Sequence, residues 1–276
     1  MLCISSSGVL GRYVPLAPAP AIWWRCALAA LLMWAYLRYR GTPLGLRGPA
    51  RGRVVLAGVL MAVHWVLYFY ALQLSSVAVG MLAVFTYPAF TTVLEPPLMR
   101  QPFRPYHLAL SALVLFGVYL LAPPGFSLAD EASLGLLCGV VSALFYALRN
   151  LLVKPQLAVL DGSALMFWQV VVAVVVLLPF VGVGGLALPP PAAWPFLLGL
   201  AVVTTAVGHT LFLRSFRRFS VSSASLLSCV QPVYGILLGV VFYREVPSAV
   251  QVAGGAAILA AVVIEARRLV TRPTAD

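Results

Sequence analysis

Ten apolar stretches follow one another along the 276 residues, and most of them are long enough to cross a membrane as a helix. A hydrocarbon core of about 30 Å needs roughly 20 apolar residues in helical form. The stretches are continuously apolar instead of alternating with a period of two, which excludes a transmembrane β-barrel. The sequence therefore predicts an all-α polytopic membrane protein with ten transmembrane helices. The stretches span about 2–14, 20–38, 54–73, 77–99, 106–122, 133–153, 164–184, 193–214, 220–243 and 247–266.

The distribution of positive charge predicts how the chain is oriented. Cytoplasmic connections retain Lys and Arg, and fifteen of the eighteen Lys and Arg residues fall in one alternate set of connections and ends. We therefore expect a multi-pass protein of the cell membrane, in contact with the lipid bilayer, with both termini in the cytoplasm. This topology accounts for the net charge of +11, so we expect no nucleic-acid partner.

The second half of the chain resembles the first at an offset of 144 residues. The offset pairs Trp24 with Trp168 and Pro88 with Pro232. Five stretches per copy is an odd number, so the second copy is expected to lie inverted relative to the first, as in many transporters. The expected domains are a first repeat at 1–123, a second repeat at 133–268 and a cytoplasmic tail at 269–276.

The first apolar stretch is shorter than its counterpart in the second half. That counterpart begins near Gly135, and the offset maps this position to about ten residues before Met1. We therefore expect the first helix to be truncated or its start misassigned. Sequencing the native locus upstream of Met1 tests this expectation, and an in-frame stop immediately upstream would contradict it.

Four segments resemble the EamA-type branch of the drug/metabolite transporter superfamily. They are WRCALAA from Trp24, LQLSSVAV from Leu72, SSASLLSCVQPVYGILLG from Ser222 and YRE from Tyr243. The resemblance implies ten helices in two inverted repeats around a central cavity, and export of small metabolites or drugs. Many members carry Glu before the ninth-segment proline, where this chain has Gln231. The loss of that ionisable group favours a facilitator or an exchanger over an obligate proton antiporter.

Arg25 is the most informative candidate for substrate binding. One interpretation is that its side chain extends to the outer membrane interface and anchors the helix. The other is that it faces the cavity and pairs with a substrate anion, for which a planar guanidinium is well suited. Its repeat counterpart Gln169 is also polar, which favours a cavity-facing position in both halves.

Other polar and aromatic residues at membrane depth complete the predicted cavity, because such side chains usually turn inward. His64 is either hydrogen-bonded to a neighbouring helix or part of a proton relay. Pro88 and Pro232 break their helices at equivalent depth and predict a cavity wall, a hinge or a simple packing feature. The predicted cavity residues are Arg25, His64, Tyr68, Tyr87, Tyr146, Trp168, Gln169, Gln231 and Tyr234.

The function predicted from these features is secondary transport of a small organic metabolite by alternating access. An intramembrane enzyme is an alternative, but no paired aspartates, HExxH motif or Ser–His couple is visible in the sequence. A passive channel or a structural membrane subunit is the other alternative. Four scattered cysteines without a CxxC pair support neither a disulfide nor a metal site. We expect a small-molecule substrate, no cofactor, and a monomer or a homodimer.

Overall fold

The computed structural model describes residues 1–46, 48, 50–120, 127–182, 188–244 and 248–271. These residues form helices and the turns between them, and no β-strand occurs within these ranges. A 3-10 turn spans Lys154–Ala158, and a π-helical segment spans Leu200–His209. The α-helices are α1 (Leu2–Ser5), α2 (Ser7–Arg12), α3 (Pro18–Tyr39), α4 (Ala50–Leu74), α5 (Val77–Val84), α6 (Tyr87–Met99), α7 (Pro105–Tyr119), α8 (Glu131–Val153), α9 (Gly162–Gly182), α10 (Trp194–Gly199), α11 (Thr210–Ser215), α12 (Val221–Ser228), α13 (Gln231–Tyr243) and α14 (Ala249–Thr271).

Several helices are long and apolar enough to cross a membrane. In the part of the chain that the structure describes, five helical segments meet this condition by length and composition. The predicted all-helical, apolar class is therefore confirmed. The five segments are Pro18–Tyr39, Ala50–Leu74, Glu131–Ala158, Gly162–Val181 and Pro191–Ser215.

Two of the apolar stretches are broken in the middle, and the breaks are equivalent. Two residues separate α5 from α6, and two residues separate α12 from α13. α12 and α13 begin 144 residues after α5 and α6, respectively. Pro88 and Pro232 are the second residues of α6 and α13, a position where the missing proline N–H costs no helical hydrogen bond. The chain therefore restarts a helix at each proline instead of bending a continuous one.

The helices around these breaks also begin and end alike. Ser76 and Ser220 each cap the following helix with a side-chain oxygen that accepts an amide hydrogen bond of 3.1 Å. α6 and α13 end at Arg100 and Arg244, which both adopt the left-handed conformation, with φ of 53° and 54°. The 144-residue offset found in the sequence thus recurs in helix boundaries, caps and ends.

Glycines allow α4 and α8 to contact neighbouring helices closely. A Cβ atom at Gly58 would lie 2.6 Å from the Cβ of Val172 in α9. A Cβ atom at Gly139 would lie 2.5 Å from that of Ala83 in α5. Small residues allow membrane helices to approach each other closely, and these two glycines permit such contacts of α4 with α9 and of α8 with α5.

The structure departs from the sequence-based assignment at two places. The first stretch is divided into α1 and α2 at Ser6. Arg149 is one of the fifteen Lys and Arg residues assigned to connections and ends from the sequence, but its side chain is fully buried inside α8. A short polar Arg-Asn pair near a helix end looks like a connection in sequence, yet here it faces the interior.

Candidate functional site

A narrow cavity lies between helices of the two halves of the chain. The space open to water centres is about 40 Å³, enough for a few water molecules. Both helix breaks contribute to its wall through Phe85, Tyr87 and Gln231. Six of the nine predicted cavity residues line it, namely Arg25, His64, Tyr68, Tyr87, Tyr146 and Gln231.

Arg25 is buried completely, so its guanidinium does not extend to a membrane interface. Its Nε donates to Thr205 Oγ1 at 2.7 Å, and its Nη2 donates to Thr204 Oγ1 at 2.9 Å. The guanidinium carbon lies 4.4 Å from the ring centroid of Trp65, within the range of a cation–π contact. Nη1 is buried without a hydrogen-bond partner. No carboxylate of the described residues forms an ion pair with Arg25.

The π-helical segment explains how two adjacent threonines reach one guanidinium. The hydroxyl groups of Thr204 and Thr205 both donate to the carbonyl oxygen of Leu200, at 2.6 and 2.8 Å. Because each hydroxyl hydrogen is used in this way, the oxygen lone pairs remain for the N–H groups of Arg25. The wider π turn therefore fixes the orientation of the guanidinium, in agreement with the frequent occurrence of such turns at functional sites.

His64 lines the cavity and joins α4 to α8. Its Nδ1 lies 2.8 Å from Ser142 Oγ, and the same hydroxyl donates to the His64 carbonyl oxygen at 2.8 Å. The imidazole stacks on Tyr146 with a centroid distance of 4.4 Å and is parallel to Tyr68 at 6.3 Å. His64 thus has the interhelical hydrogen bond that one of its two interpretations expects, and it also faces the cavity.

Tyr87 and Gln231 occupy the first positions of the two restarted helices. The Tyr87 hydroxyl donates to the Ser225 carbonyl oxygen at 3.3 Å and forms a second hydrogen bond with Ser228 Oγ. This arrangement ties α6 of the first half to α12 of the second half. The Gln231 amide donates to the sulfur of Met1 at 3.1 Å, so its carbonyl oxygen remains as a neutral acceptor at the cavity wall.

Seven of the described residues that line the cavity lie outside the predicted set, among them Trp65 and His209. Trp65 supplies the aromatic face beneath Arg25, and His209 packs edge-on against Trp65 at 5.4 Å. His209 is buried, and its Nδ1 has no hydrogen-bond partner. The offset of 144 residues pairs these two residues with each other, but a tryptophan opposite a histidine is not an obvious repeat of one polar position.

Three predicted cavity residues do not line the cavity. Trp168 is half-buried and donates to the Leu44 carbonyl oxygen at 3.0 Å, and Tyr234 is half-buried in α13. Gln169 is buried but accepts a hydrogen bond of 2.5 Å from Nε of Arg149. The repeat counterpart of Arg25 therefore binds a second buried arginine at another place.

Proline placement follows the helix breaks. Pro88 is buried at the start of α6, beside the cavity residue Tyr87. The backbone of Pro232 has the equivalent place at the start of α13, and its side chain lies outside the described part of the structure. The predicted helix interruption is therefore present at both positions.

A second polar cluster, the Glu95–Glu265 network, joins the two halves away from the cavity. Glu95 lies in α6, and its side chain is buried. It accepts hydrogen bonds of 2.8 Å from the backbone amides of Val221 and Ser222, and a further one from the Ser222 hydroxyl. Its charge thus stabilises the N-terminus of α12, where the helix dipole is positive.

Glu265 completes this network from α14. Its carboxylate accepts from Ser223 Oγ at 2.8 Å and from Nε and Nη2 of Arg268 at 2.9 Å each. His107 Nε2 in α7 lies 3.4 Å from the same carboxylate. The network therefore connects α6 and α7 of the first half to α12 and α14 of the second. Its members are Glu95, His107, Ser222, Ser223, Glu265 and Arg268.

The described residues contain no candidate metal site. In the ranges that the structure describes, no three His, Cys, Asp or Glu side chains lie together in a way that could hold a metal ion.

Comparison with known proteins gives a consistent result over nearly the whole chain. The model of the EamA-like transporter family matches residues 1–122 and 133–265. An uncharacterized transporter of Archaeoglobus fulgidus is 30% identical over 197 residues, which cover 71% of this chain and 70% of that protein. The pseudopaline exporter CntI of Pseudomonas aeruginosa is 26% identical over 254 residues, which cover 91% of this chain and 87% of the relative.

A solved crystal structure has the same fold. It superposes with a TM-score of 0.76 at 20% identity and covers 96% of this chain and 93% of its own. The named relatives are transporters and not enzymes.

Proposed function

Because the chain belongs to the EamA-like transporter family, we propose that it is a secondary transporter that exports small organic metabolites or drugs through the cavity around Arg25. The single observation that carries this proposal is the cavity itself, whose wall contains both helix breaks and side chains from both halves. Interrupted helices at the midplane are a common way in which transporters build a substrate site.

The arrangement proposed for the membrane is ten transmembrane helices in two inverted repeats. The equivalent boundaries of α5, α6, α12 and α13 support a repeated unit, and an odd number of helices per unit supports the inversion. The positive-inside distribution supports cytoplasmic termini and insertion in the cell membrane. The repeats are proposed at 1–123 and 133–268, with the tail at 269–276, in a monomer or a homodimer.

Alternating access requires that one side of the cavity opens while the other is closed. A pocket for a metabolite usually holds about 300 Å³ or more, whereas this cavity offers about 40 Å³ to water centres. The structure therefore corresponds to a contracted site. We assign the Glu95–Glu265 network to the cytoplasmic closure, since it joins the two halves at the ends of helices that the charge distribution places in the cytoplasm.

Export is the proposed direction. The similarity to a protein named as the pseudopaline exporter supports it, as does the resemblance of the motifs to a family of metabolite exporters. The neutral Gln231 at the second helix break supports facilitated diffusion or exchange over obligate coupling to protons.

Reconstitution into sealed vesicles tests the proposal. A transporter gives saturable flux, and substrate on the far side accelerates exchange; a passive channel shows no such acceleration. The test uses a panel of metabolites selected by growth of an expressing strain on toxic concentrations. A Tyr39→Phe variant is a matched control, since Tyr39 is 89% exposed and does not line the cavity. Flux that rises linearly with concentration and is unaffected by substrate on the far side would contradict the proposal.

A further inference from the structure

We propose that the transported substrate is a monocarboxylate whose carboxylate binds Nη1 of Arg25, with its apolar part against the aromatic wall. This inference rests on the proposed transport function and names the chemical class of the substrate. It rests on one group, Nη1 of the fully buried Arg25 guanidinium, which has no hydrogen-bond partner.

A buried cation without a counter-ion is costly and is normally paired. Arg25 has two of its three nitrogen atoms bound to neutral threonine hydroxyl groups, which leave the positive charge uncompensated. An anion that enters the cavity supplies both the missing acceptor and the missing negative charge. Charge-assisted hydrogen bonds of this type are about twice as strong as neutral ones.

A second buried arginine, Arg149, shows that buried guanidinium groups in this protein do not generally lack hydrogen-bond partners. Nε of Arg149 donates to Gln169 at 2.5 Å, Nη1 donates to Asn150 at 2.8 Å, and Nη2 contacts the sulfur of Met166 at 3.5 Å. All three nitrogen atoms of Arg149 thus have partners, and Arg149 does not line the cavity. Arg25 therefore has a nitrogen that can still bind a ligand, whereas Arg149 does not.

The number of charges in the cavity selects a monoanion. Arg25 is the single Lys or Arg side chain among the described residues that line the cavity. One bound negative charge neutralises it, whereas a dianion such as a phosphate monoester leaves a net negative charge in an apolar interior. His209 also lines the cavity, and its Nδ1 has no hydrogen-bond partner.

The rest of the wall selects an apolar or aromatic body. Trp65, Tyr68, Phe85, Tyr87 and Tyr146 present rings to the cavity. The Tyr87 hydroxyl is already bonded to α12, so this residue contributes its ring face. Aromatic rings stack on one another at centroid distances of about 4.5–7 Å. In this wall the Phe85 and Tyr87 rings are 5.8 Å apart, and the Tyr87 and Tyr146 rings are 4.8 Å apart.

Four probes of similar size test the assignment on the purified full-length protein in detergent. They are 3-phenylpropionate, its neutral amide, the cation 3-phenylpropylamine and the dianion-forming phenyl phosphate. Affinity is measured by quenching of tryptophan fluorescence and by the shift in Tm. We expect 3-phenylpropionate to bind most tightly. The Arg25→Gln variant should lose at least about 30-fold in affinity, or ~2 kcal/mol, and Arg25→Lys should lose less because it keeps the charge without the planar fork.

The Arg149→Gln variant is the matched control and should retain the preference for the carboxylate. Circular dichroism and gel filtration verify that each variant is folded, and Arg25→Lys provides a conservative variant if Arg25→Gln is not. Equal binding of the amide or the amine, preference for phenyl phosphate, no binding of 3-phenylpropionate, or unchanged affinity in Arg25→Gln would overturn the inference. Flux of an uncharged or cationic solute that is independent of Arg25 would leave the transport proposal intact and reject only the carboxylate.

Discussion

The cavity buries a positive charge that lacks some of its hydrogen-bond partners, whereas the Glu95–Glu265 network buries negative charges that have theirs. Arg25 has an unpartnered nitrogen and no carboxylate beside it among the described residues. Glu95 and Glu265 receive hydrogen bonds from backbone amides, hydroxyl groups and a guanidinium. The difference indicates a division of roles, because a charge with free hydrogen-bonding capacity can bind a ligand, whereas a charge with its partners in place holds helices together.

Removal of the Glu265 carboxylate is expected to have the largest effect. Glu265→Ala leaves His107 and Arg268 without their shared acceptor, and loss of one partner of a buried ion pair costs about 3 kcal/mol. Thermal unfolding in detergent should show a decrease in Tm of roughly 5–10 °C. An unchanged Tm would mean that the network does not hold α14 in place.

Neutralisation of Glu95 should have a smaller effect that is confined to one contact. Glu95→Gln keeps one acceptor for α12 but loses the charge at the helix N-terminus, a change of about 1 kcal/mol. Hydrogen exchange should accelerate at the amides of Val221 and Ser222, because these donate to the carboxylate. Acceleration of the same size in a distant helix such as α9 would contradict a local role.

The two buried arginines allow the comparison to be tested with one substitution. Arg25→Met removes a buried charge with an unpartnered nitrogen, and Thr204 and Thr205 keep their hydrogen bonds to Leu200, so stability should stay unchanged or rise by about 1 kcal/mol. Arg149→Met removes the partner of Gln169 and Asn150, and unsatisfied buried groups should lower stability by about 1–3 kcal/mol. Thermal unfolding of both variants in parallel gives the answer. A larger loss of stability in Arg25→Met would mean that Arg25 is a structural residue.

The smallest loss of stability is expected at an exposed ion pair, that of Asp161 with Arg214. Partial burial raises the pKa of Asp161, but hydrogen bonds from Ser163 and Arg214 outweigh this effect and hold the pKa below its ordinary value of 3.8. The resulting stabilisation is present above that ordinary value and is lost as the pH falls through the lowered pKa. Asp161→Asn should cost less than about 1 kcal/mol at neutral pH, since the pair is exposed to solvent.

The same substitution should remove any dependence of Tm on pH that Asp161 contributes in acid. Thermal unfolding of wild type and Asp161→Asn between neutral and acidic pH measures this difference. A gap between the two proteins that widens as the pH falls would contradict the sign.

Long-range regularities of this molecule could be predicted from its sequence. Apolar stretches of membrane length indicate the helical class, and the offset of 144 residues anticipates that the breaks at Pro88 and Pro232 are equivalent. Arg25 and Gln231 stand out because polar groups in such stretches are rare. These signals depend on composition and spacing, which a single sequence contains.

Side-chain pairing between distant helices could not be predicted in the same way. Glu95 lies near the end of α6, and only the three-dimensional structure brings the amides of α12, 126 residues away, to its carboxylate. Trp168 and Gln169 shared a sequence motif with Trp24 and Arg25 but face other partners. The rotation of a helix about its axis decides which neighbour a side chain contacts. The hydrophobic pattern of the sequence does not determine this rotation accurately enough to predict the contact.

The π-helical segment also sets the angular phase of the helix that contains it. Thr204, at its middle, holds Arg25, and Arg214, beyond its end, bonds Ser163 at 2.9 Å. Successive residues of an α-helix are rotated by about 100°, so the loss of a single residue between these two would turn one end away from its partner. Insertions and deletions within the π-helical segment should therefore be poorly tolerated. A residue added or removed near Thr204 would also rotate Arg214 relative to Ser163.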